Sequence, residues 1–291
     1  MDLEWSTIIG LLIAGISRGM IYFLLAAGLT LIFGVLNVVN FAHGAFYMLG
    51  VFLSYGVISQ GLNLGLAFLV VPLALALFGG LVEFILFRRI YRAEHAMQLL
   101  LSLGVIHMFS DIVRLIWGVN PVSVKMPRVL KGLFVLEGLR ITKYNLFIIG
   151  VTLLVIILMY LILYKTKTGS IIRACTIDHE MTSCVGVNVS RVFLLVFMTG
   201  VGLAGIAAVT AAPVVTGVLG MDMQMIILAF CVVIIGGVGS IGGALIAALL
   251  IGIVESFGIL ILPGFAEAFV YIIVVVSLFI RPSGLFGKLV G

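Results

Sequence analysis

The feature that most constrains this chain is a succession of apolar runs, several longer than the ~20 residues that cross a bilayer as a helix. Hydrocarbon offers no hydrogen-bond partners, so runs of this length must satisfy their backbone internally and fold as helices. With 64% hydrophobic and 9% charged residues, a water-soluble globule is excluded. The fold class is therefore all-α, a polytopic membrane protein in contact with lipid. The net charge of +5 comes without any basic stripe interleaved with aromatics, so nucleic acid is not a partner. Cys175, Cys184 and Cys231 are odd in number and lack metal-ligand spacing, which points to reduced thiols with no metal and no cofactor. Asp2 and Glu4 stand where a signal peptide would carry a basic segment, so no cleavable signal is expected.

Segmenting the chain by apolar length gives about nine spans, within a range of eight to ten, in a single domain over residues 1–291. They fall at about Ser6 to Val35, Gly44 to Ile58, Leu62 to Phe87, Ala96 to Trp117, Tyr144 to Tyr164, Arg191 to Ala212, Gln224 to Ile235, a run after the glycines at 236–243, and Phe265 to Ile280. The first is long for one span and the seventh is short. Pro72 predicts a kink in the third. Spans one to four and six to nine flank the fifth, an arrangement that fits an inverted repeat around the loop after it.

Several polar residues interrupt the apolar runs. Gly15 and Gly19 form a G-x-x-x-G pair suited to close helix contact. Arg18 lies beside them and is expected to snorkel toward water, with pairing inside the bundle as the alternative. Asn37, Asn40 and His43, with Gly34 and Gly44 on either side, predict a broken helix, a recurring mark of transport pathways; an ordinary short turn is the competing reading. His107, Asp111 and Arg114 follow at i, i+4 and i+7 and share one helix face. Asp111 and Arg114 are expected to neutralise each other there. Glu83 is read as a structural partner of Arg88. Glu255 stands in the outer half of the eighth span. The glycine-rich GGVGSIGGA lacks the Gly-Lys-Ser/Thr ending of a phosphate-binding loop and reads as a sharp turn.

Orientation follows from the cations. Nine Lys and Arg residues (Arg88, Arg89, Arg92, Lys165, Lys167, Arg173, Arg191, Arg281 and Lys288) fall on one side, read as cytoplasmic. Lys125, Arg128, Lys131, Arg140 and Lys143, against Glu137, fall on the other, in an external loop at about 119–143. The N-terminus is then outside and the C-terminus cytoplasmic. Cations in an external loop strain the positive-inside rule, and an acidic docking partner for Lys125, Arg128 and Lys131 would offset that strain. Lipid headgroups are the alternative. The longest polar interval, about residues 165–190, reads as a structured cytoplasmic loop: Thr168 or Ser170 can cap a helix and Gly186 can stop it.

Within that interval Gly169, Arg173-Ala174, Asp178, Glu180 and Gly186-Val187-Asn188 trace G-x-x-x-R-A … G-[IV]-N. This pattern resembles the ATPase-coupling loop of ABC-importer permeases for branched-chain amino acids. Thr182 departs from it, where the family more often has Ala. N-F-A-H-G at 40–44 and G-G-V-G-S-I-G-G at 236–243 are similar to segments of the same family. The resemblance implies an inner-membrane permease subunit of a bacterial importer for branched-chain amino acids. Its partners would be a second permease subunit (identical or different), two cytoplasmic ATPase subunits and a periplasmic substrate-binding protein. It also implies a coupling role for Gly169, Arg173, Ala174, Asp178, Glu180, Gly186 and Asn188. Asn37, Asn40, His43 and Gly44 would form a constriction near the cytoplasmic end of the pathway.

Three other readings stay open on sequence alone. Permeases for urea and short amides look alike at this level. An ion-coupled secondary transporter would want a midplane carboxylate, for which Glu255 is an approximate candidate. An intramembrane enzyme would use His107 and Asp111, but nothing pairs them with a nucleophile or a metal set.

Overall fold

The computed structural model describes residues 5–91, 93–136, 139–281 and 284–286. Asp2, Glu4, Arg92, Glu137 and Lys288, used above in reading charge, lie outside the described residues. The helices are α1 (Trp5–Leu36), α2 (Ala42–Ser59), α3 (Leu64–Ile85), α4 (His95–Trp117), α5 (Lys143–Lys165), α6 (Lys167–Ile177), α7 (His179–Cys184), α8 (Val189–Ala211), α9 (Met221–Gly236), α10 (Ile241–Ile261) and α11 (Ala266–Ile280).

Among the described residues, eight helices are long and apolar enough to cross a membrane: α1, α2, α3, α4, α5, α8, α10 and α11, the last counted with the turn before it. The ninth expected span is α9, which at 16 residues falls short of that length. Its residues Ile226, Ala229, Val232, Val233 and Ile235 are buried, so it packs within the protein instead of meeting lipid along its length. The chain is thus a multi-pass membrane protein. The outer faces of α3 and α5 are correspondingly apolar: Leu69, Leu73, Leu77 and Leu81 recur every fourth residue on α3 and are exposed.

The connections gather at two ends of the bundle. One end carries residues 86–91 and 93–94, α6 and α7, the turn 237–240 and residues 284–286. The other carries residues 60–63, 118–136, 139–142 and 262–265. At this second end the alternating segment forms a hairpin, β1 (Leu133–Leu136) with β2 (Leu139–Thr142), in the register Leu133 to Thr142. An isolated bridge, Val122 to Gly217, ties this loop to the α8–α9 connection.

Packing follows an internal symmetry. α1 packs against α10 and α9, as α8 packs against α3 and α2; α2 packs on α4 as α9 packs on α11. α1 meets α8, and α2 meets α9. Exchanging α1–α4 with α8–α11 maps these pairings onto each other, and the two sets start from opposite ends, as an inverted repeat requires.

Small residues set the closest seams. Gly15 and Gly19 of α1 face Ile253 and Ala248 of α10, where an added Cβ would lie 2.7 Å and 2.6 Å from backbone atoms. This is the close contact that the G-x-x-x-G pair predicts. Pro72 sits inside α3 beside Gly205 of α8, whose missing Cβ would lie 2.8 Å from the Pro72 Cα. Glu83, fully buried, accepts from Arg88 Nη2 at 3.0 Å and from the Tyr91 hydroxyl at 2.5 Å, the structural pairing read from the sequence. Burial and that bond to Glu83 push the Tyr91 phenol well up.

Candidate functional site

The break after α1 is where the backbone leaves regular structure inside the bundle. Asn37 adopts a left-handed conformation (φ 52°) and turns the chain back. Residues 37–41 then run back along α1, with Val38 and Asn40 fully buried. α2 begins deep in the bundle as a result. His43 Nε2 lies 3.0 Å from the Leu25 carbonyl oxygen. Leu25 is eleven residues before the end of α1 at Leu36, or ~16 Å at helical rise. The imidazole fits because Gly28 has no side chain: a Cβ there would be 3.0 Å from His43 Cε1. Asn40, His43 and Gly44 therefore lie buried inside the bundle, whereas Asn37 is exposed at the end of α1.

α9 begins at the same depth. The α8–α9 connection dips inward until Gly217 lies beside Val51, midway along α2. Gly220 then turns the chain with φ 92°, and α9 starts with the Asp222 carbonyl against Gly44. Asp222 is 2% exposed and accepts from Ser110 Oγ of α4 at 3.3 Å. By apolar length it falls outside the spans, between Ala212 and Gln224. Neither α2 nor α9 has a side-chain cap, and the two helix N-termini meet inside the bundle.

Polar atoms without partners cluster nearby. Both side-chain polar atoms of Asn40, Nδ1 of His43 and the hydroxyl of Tyr47 are buried and unpaired, in one row along the start of α2. Tyr47 was not singled out in the sequence, although its i+4 spacing from His43 was the available signal.

In the polar segment the structure separates two helices where one was expected. Thr166, not Thr168 or Ser170, caps α6, accepting from Gly169 N at 3.0 Å. Gly169 packs against the backbone of Ile162 and Leu163, so the chain reverses there without room for a side chain. Asp178 caps α7, accepting from Glu180 N and Met181 N at 2.9 Å each. Gly186, at φ 85°, follows the end of α7, and Asn188 caps α8 through Arg191 N at 3.1 Å. Ala174, Asp178 and Glu180 are exposed, while Arg173 is half-buried over the Tyr164 ring at 5.0 Å. Arg173 lines a cavity of about 250 Å³ with Thr30, Thr176 and Gly239. The departing residue, Thr182, is buried, and its hydroxyl donates to the Asp178 carbonyl at 2.6 Å.

His107, Asp111 and Arg114 do share one face of α4, and all three are exposed. Asp111 and Arg114 do not pair: the ion pairs among the described residues are Arg18–Glu255 and Arg88–Glu83. Lys125, Arg128 and Lys131 are exposed in the loop before the hairpin. Arg18 pairs with Glu255 of α10, Nη1 lying 2.9 Å from Oε1, and its side chain stays 44% exposed, so it combines the pairing with access to solvent. No group of three His, Cys, Asp or Glu residues that could hold a metal occurs among the described residues.

Broken helices meeting inside an apolar bundle, with polar loops at each end, are the architecture of a transport protein. The model of the branched-chain amino acid transport system permease component matches residues 11–280. The chain belongs to this family. Its relatives include the high-affinity branched-chain amino acid transport system permease protein BraD of Pseudomonas aeruginosa, 29% identical over 95% of each chain. LivH of Escherichia coli, a permease protein named for the same kind of system, is 26% identical over 94% of each. A probable branched-chain amino acid transport permease protein of Methanocaldococcus jannaschii is 29% identical, over 91% of this chain and 88% of its own. No solved structure matches the chain. Members of this family are transport permeases, not enzymes, and that sets aside the catalytic reading of His107 and Asp111.

Proposed function

We propose that this chain is the membrane-spanning subunit of an ABC importer and provides the pathway for branched-chain amino acids. The observation that carries the reading is the meeting of α2 and α9, two helices that begin inside the bundle and pack together at Gly44 and Asp222. Asn37, Asn40, His43 and Gly44 are read as the constriction, with Asn37 at its exposed edge and the other three buried inside the bundle.

The remaining surfaces suit the partners of such a system. Outside the spanning helices, the end of α6, α7 and the residue after it expose Ile177, Met181 and Val185 beside Glu180. Apolar side chains exposed on a water-facing segment fit a protein partner, here the two ATPase subunits. Asp178, Gly186 and Asn188 shape this surface, and Arg173 ties it to α5. The ionisable stripe on α4 makes no ion pair among the described residues and suits contact with a second permease subunit, identical or different. The cations of the described residues at the α6–α7 end support a cytoplasmic position for that end, in a bacterial inner membrane. Lys125, Arg128 and Lys131 then face a periplasmic binding protein.

The test is uptake by proteoliposomes holding this chain with its permease partner, ATPases and binding protein. Leucine, isoleucine or valine should accumulate only with ATP and binding protein present. Uptake by this chain without ATP, driven by an ion gradient, would assign it to the secondary transporters. Uptake of urea but not of amino acids would leave the importer and change its substrate.

A further inference from the structure

A cavity of about 520 Å³ opens between α1, α5, α9, α10 and α11 on the side of the α8–α9 connection. It is within the size range of small-molecule sites. Its polar lining includes Arg18, Tyr22, Tyr47, Gln224, Glu255 and Glu267. Arg18 is 44% exposed, and its hydrogen bond to Glu255 uses one of its five N–H donors. Glu255, 16% exposed, also accepts from the Tyr22 hydroxyl at 2.5 Å, which leaves lone pairs on both oxygens. Glu267 is exposed in the lining and makes no ion pair among the described residues. The Tyr47 hydroxyl is buried, unpartnered and part of the same lining. Ile21, Ile148, Met225, Leu228 and Val270 supply apolar wall.

From this combination we infer that the cavity binds a small zwitterion with an aliphatic side chain. Arg18 and Tyr47 take its carboxylate, Glu255 and Glu267 its ammonium, and the aliphatic wall its side chain. A lone anion would meet two carboxylates, and a lone cation would meet the guanidinium. A zwitterion satisfies both signs without leaving either charge uncompensated. The pathway thus holds its solute before the constriction: Tyr47 stands one turn beyond His43 on α2 and joins the cavity to the row of unpaired polar atoms. The inference rests on the importer reading, from which the solute is an amino acid delivered at this mouth.

The test uses the assembled importer in nanodiscs, without binding protein, carrying Met225→Cys in a background whose native cysteines are replaced. An aqueous methanethiosulfonate reagent should modify this wall position. L-leucine at about ten times its dissociation constant should slow modification about tenfold. 4-Methylpentanoate, which lacks the ammonium, and 3-methylbutylamine, which lacks the carboxylate, should not protect at that concentration. The double variant Arg18→Gln, Glu255→Gln removes both charges at little cost in volume and should abolish protection by leucine. No protection by leucine, equal protection by the amine, or protection surviving in the double variant would each overturn the inference. ATP-dependent uptake by the unmodified importer tests the functional reading separately. Intact uptake without protection would reject the cavity alone.

Discussion

Replacing Gly19 by Ala tests the packing on which the whole bundle depends. The new Cβ would lie 2.6 Å from the Ala248 carbonyl oxygen and 2.9 Å from the Leu249 Cα. Ordinary contact begins at 3.4 Å, so the shortfall at the oxygen is 3.4 − 2.6 = 0.8 Å. Both neighbours are backbone, and no side chain can rotate away. α1 and α10 must part, which at typical overpacking costs is destabilising by ~1–3 kcal/mol. Ala is a better helix former than Gly by about 0.8–1 kcal/mol, which offsets part of that loss. The net effect is a loss of up to roughly 2 kcal/mol, with Arg18 and Glu255 pulled from their 2.9 Å contact beside the seam. Gly104 of α4 supplies the control, because nothing lies within 4 Å of the Cβ it would gain. Gly104→Ala should therefore keep the helix-propensity gain and raise the unfolding temperature. Thermal unfolding of the two variants in nanodiscs should give shifts of opposite sign. If Gly19→Ala stabilises as Gly104→Ala does, the close α1–α10 seam is refuted.

The thiols and the basic loop give two further tests. Cys184 is exposed, whereas Cys175 is buried and burial pushes its thiol up, so less of it is thiolate at neutral pH. Maleimide should therefore modify Cys184 first and Cys175 at least about tenfold more slowly, with the Cys175 rate rising as pH rises; equal rates would refute the packing of α6. Charge reversal of Lys125, Arg128 and Lys131 should slow association of loaded binding protein by about tenfold or more at low salt and flatten its salt dependence. ATPase activity without binding protein should stay unchanged, and an unaltered association rate in neutral-lipid nanodiscs would leave only a lipid role for these cations.

Apolar length and local punctuation were legible in the sequence; the rotation of each helix about its axis was not. Eight spans, Pro72 inside α3, the tight turn at Gly186 and the Glu83–Arg88 pairing all depend on neighbours in the chain. Arg18 shows the opposite case. Whether it reaches a carboxylate depends on which face of α10 meets α1, and Glu255 is 237 positions away. Gly15 and Gly19 announced a close partner without saying which helix it would be. Asp222 was misplaced for a related reason: the Gly- and Pro-containing stretch before it has the composition of a surface turn, yet its backbone folds inward. That inward course needs walls from α2 and α4, which a local reading cannot supply. The residues of the polar segment at about 165–190 were legible as a motif, but the division into α6 and α7 came from Asp178, whose carboxylate caps a new helix where a continuous one was expected.

The inverted symmetry gives a physical reason for the two breaks to lie side by side. In the repeat, the chain that follows α1 corresponds to the chain that follows α8, so one turned inward from one end is matched by one turned inward from the other. Each return leaves a helix, α2 or α9, whose first N–H groups lie away from water and lack a side-chain cap. An uncapped, buried N-terminus is costly in an apolar interior unless polar groups lie near it. Asn40 and His43 stand at one of these termini and Asp222 at the other. The packing of α2 on α9 brings both sets to Gly44, where the lack of a side chain lets the backbones touch. The polar groups that interrupt the apolar runs are thus placed where regular backbone hydrogen bonding stops.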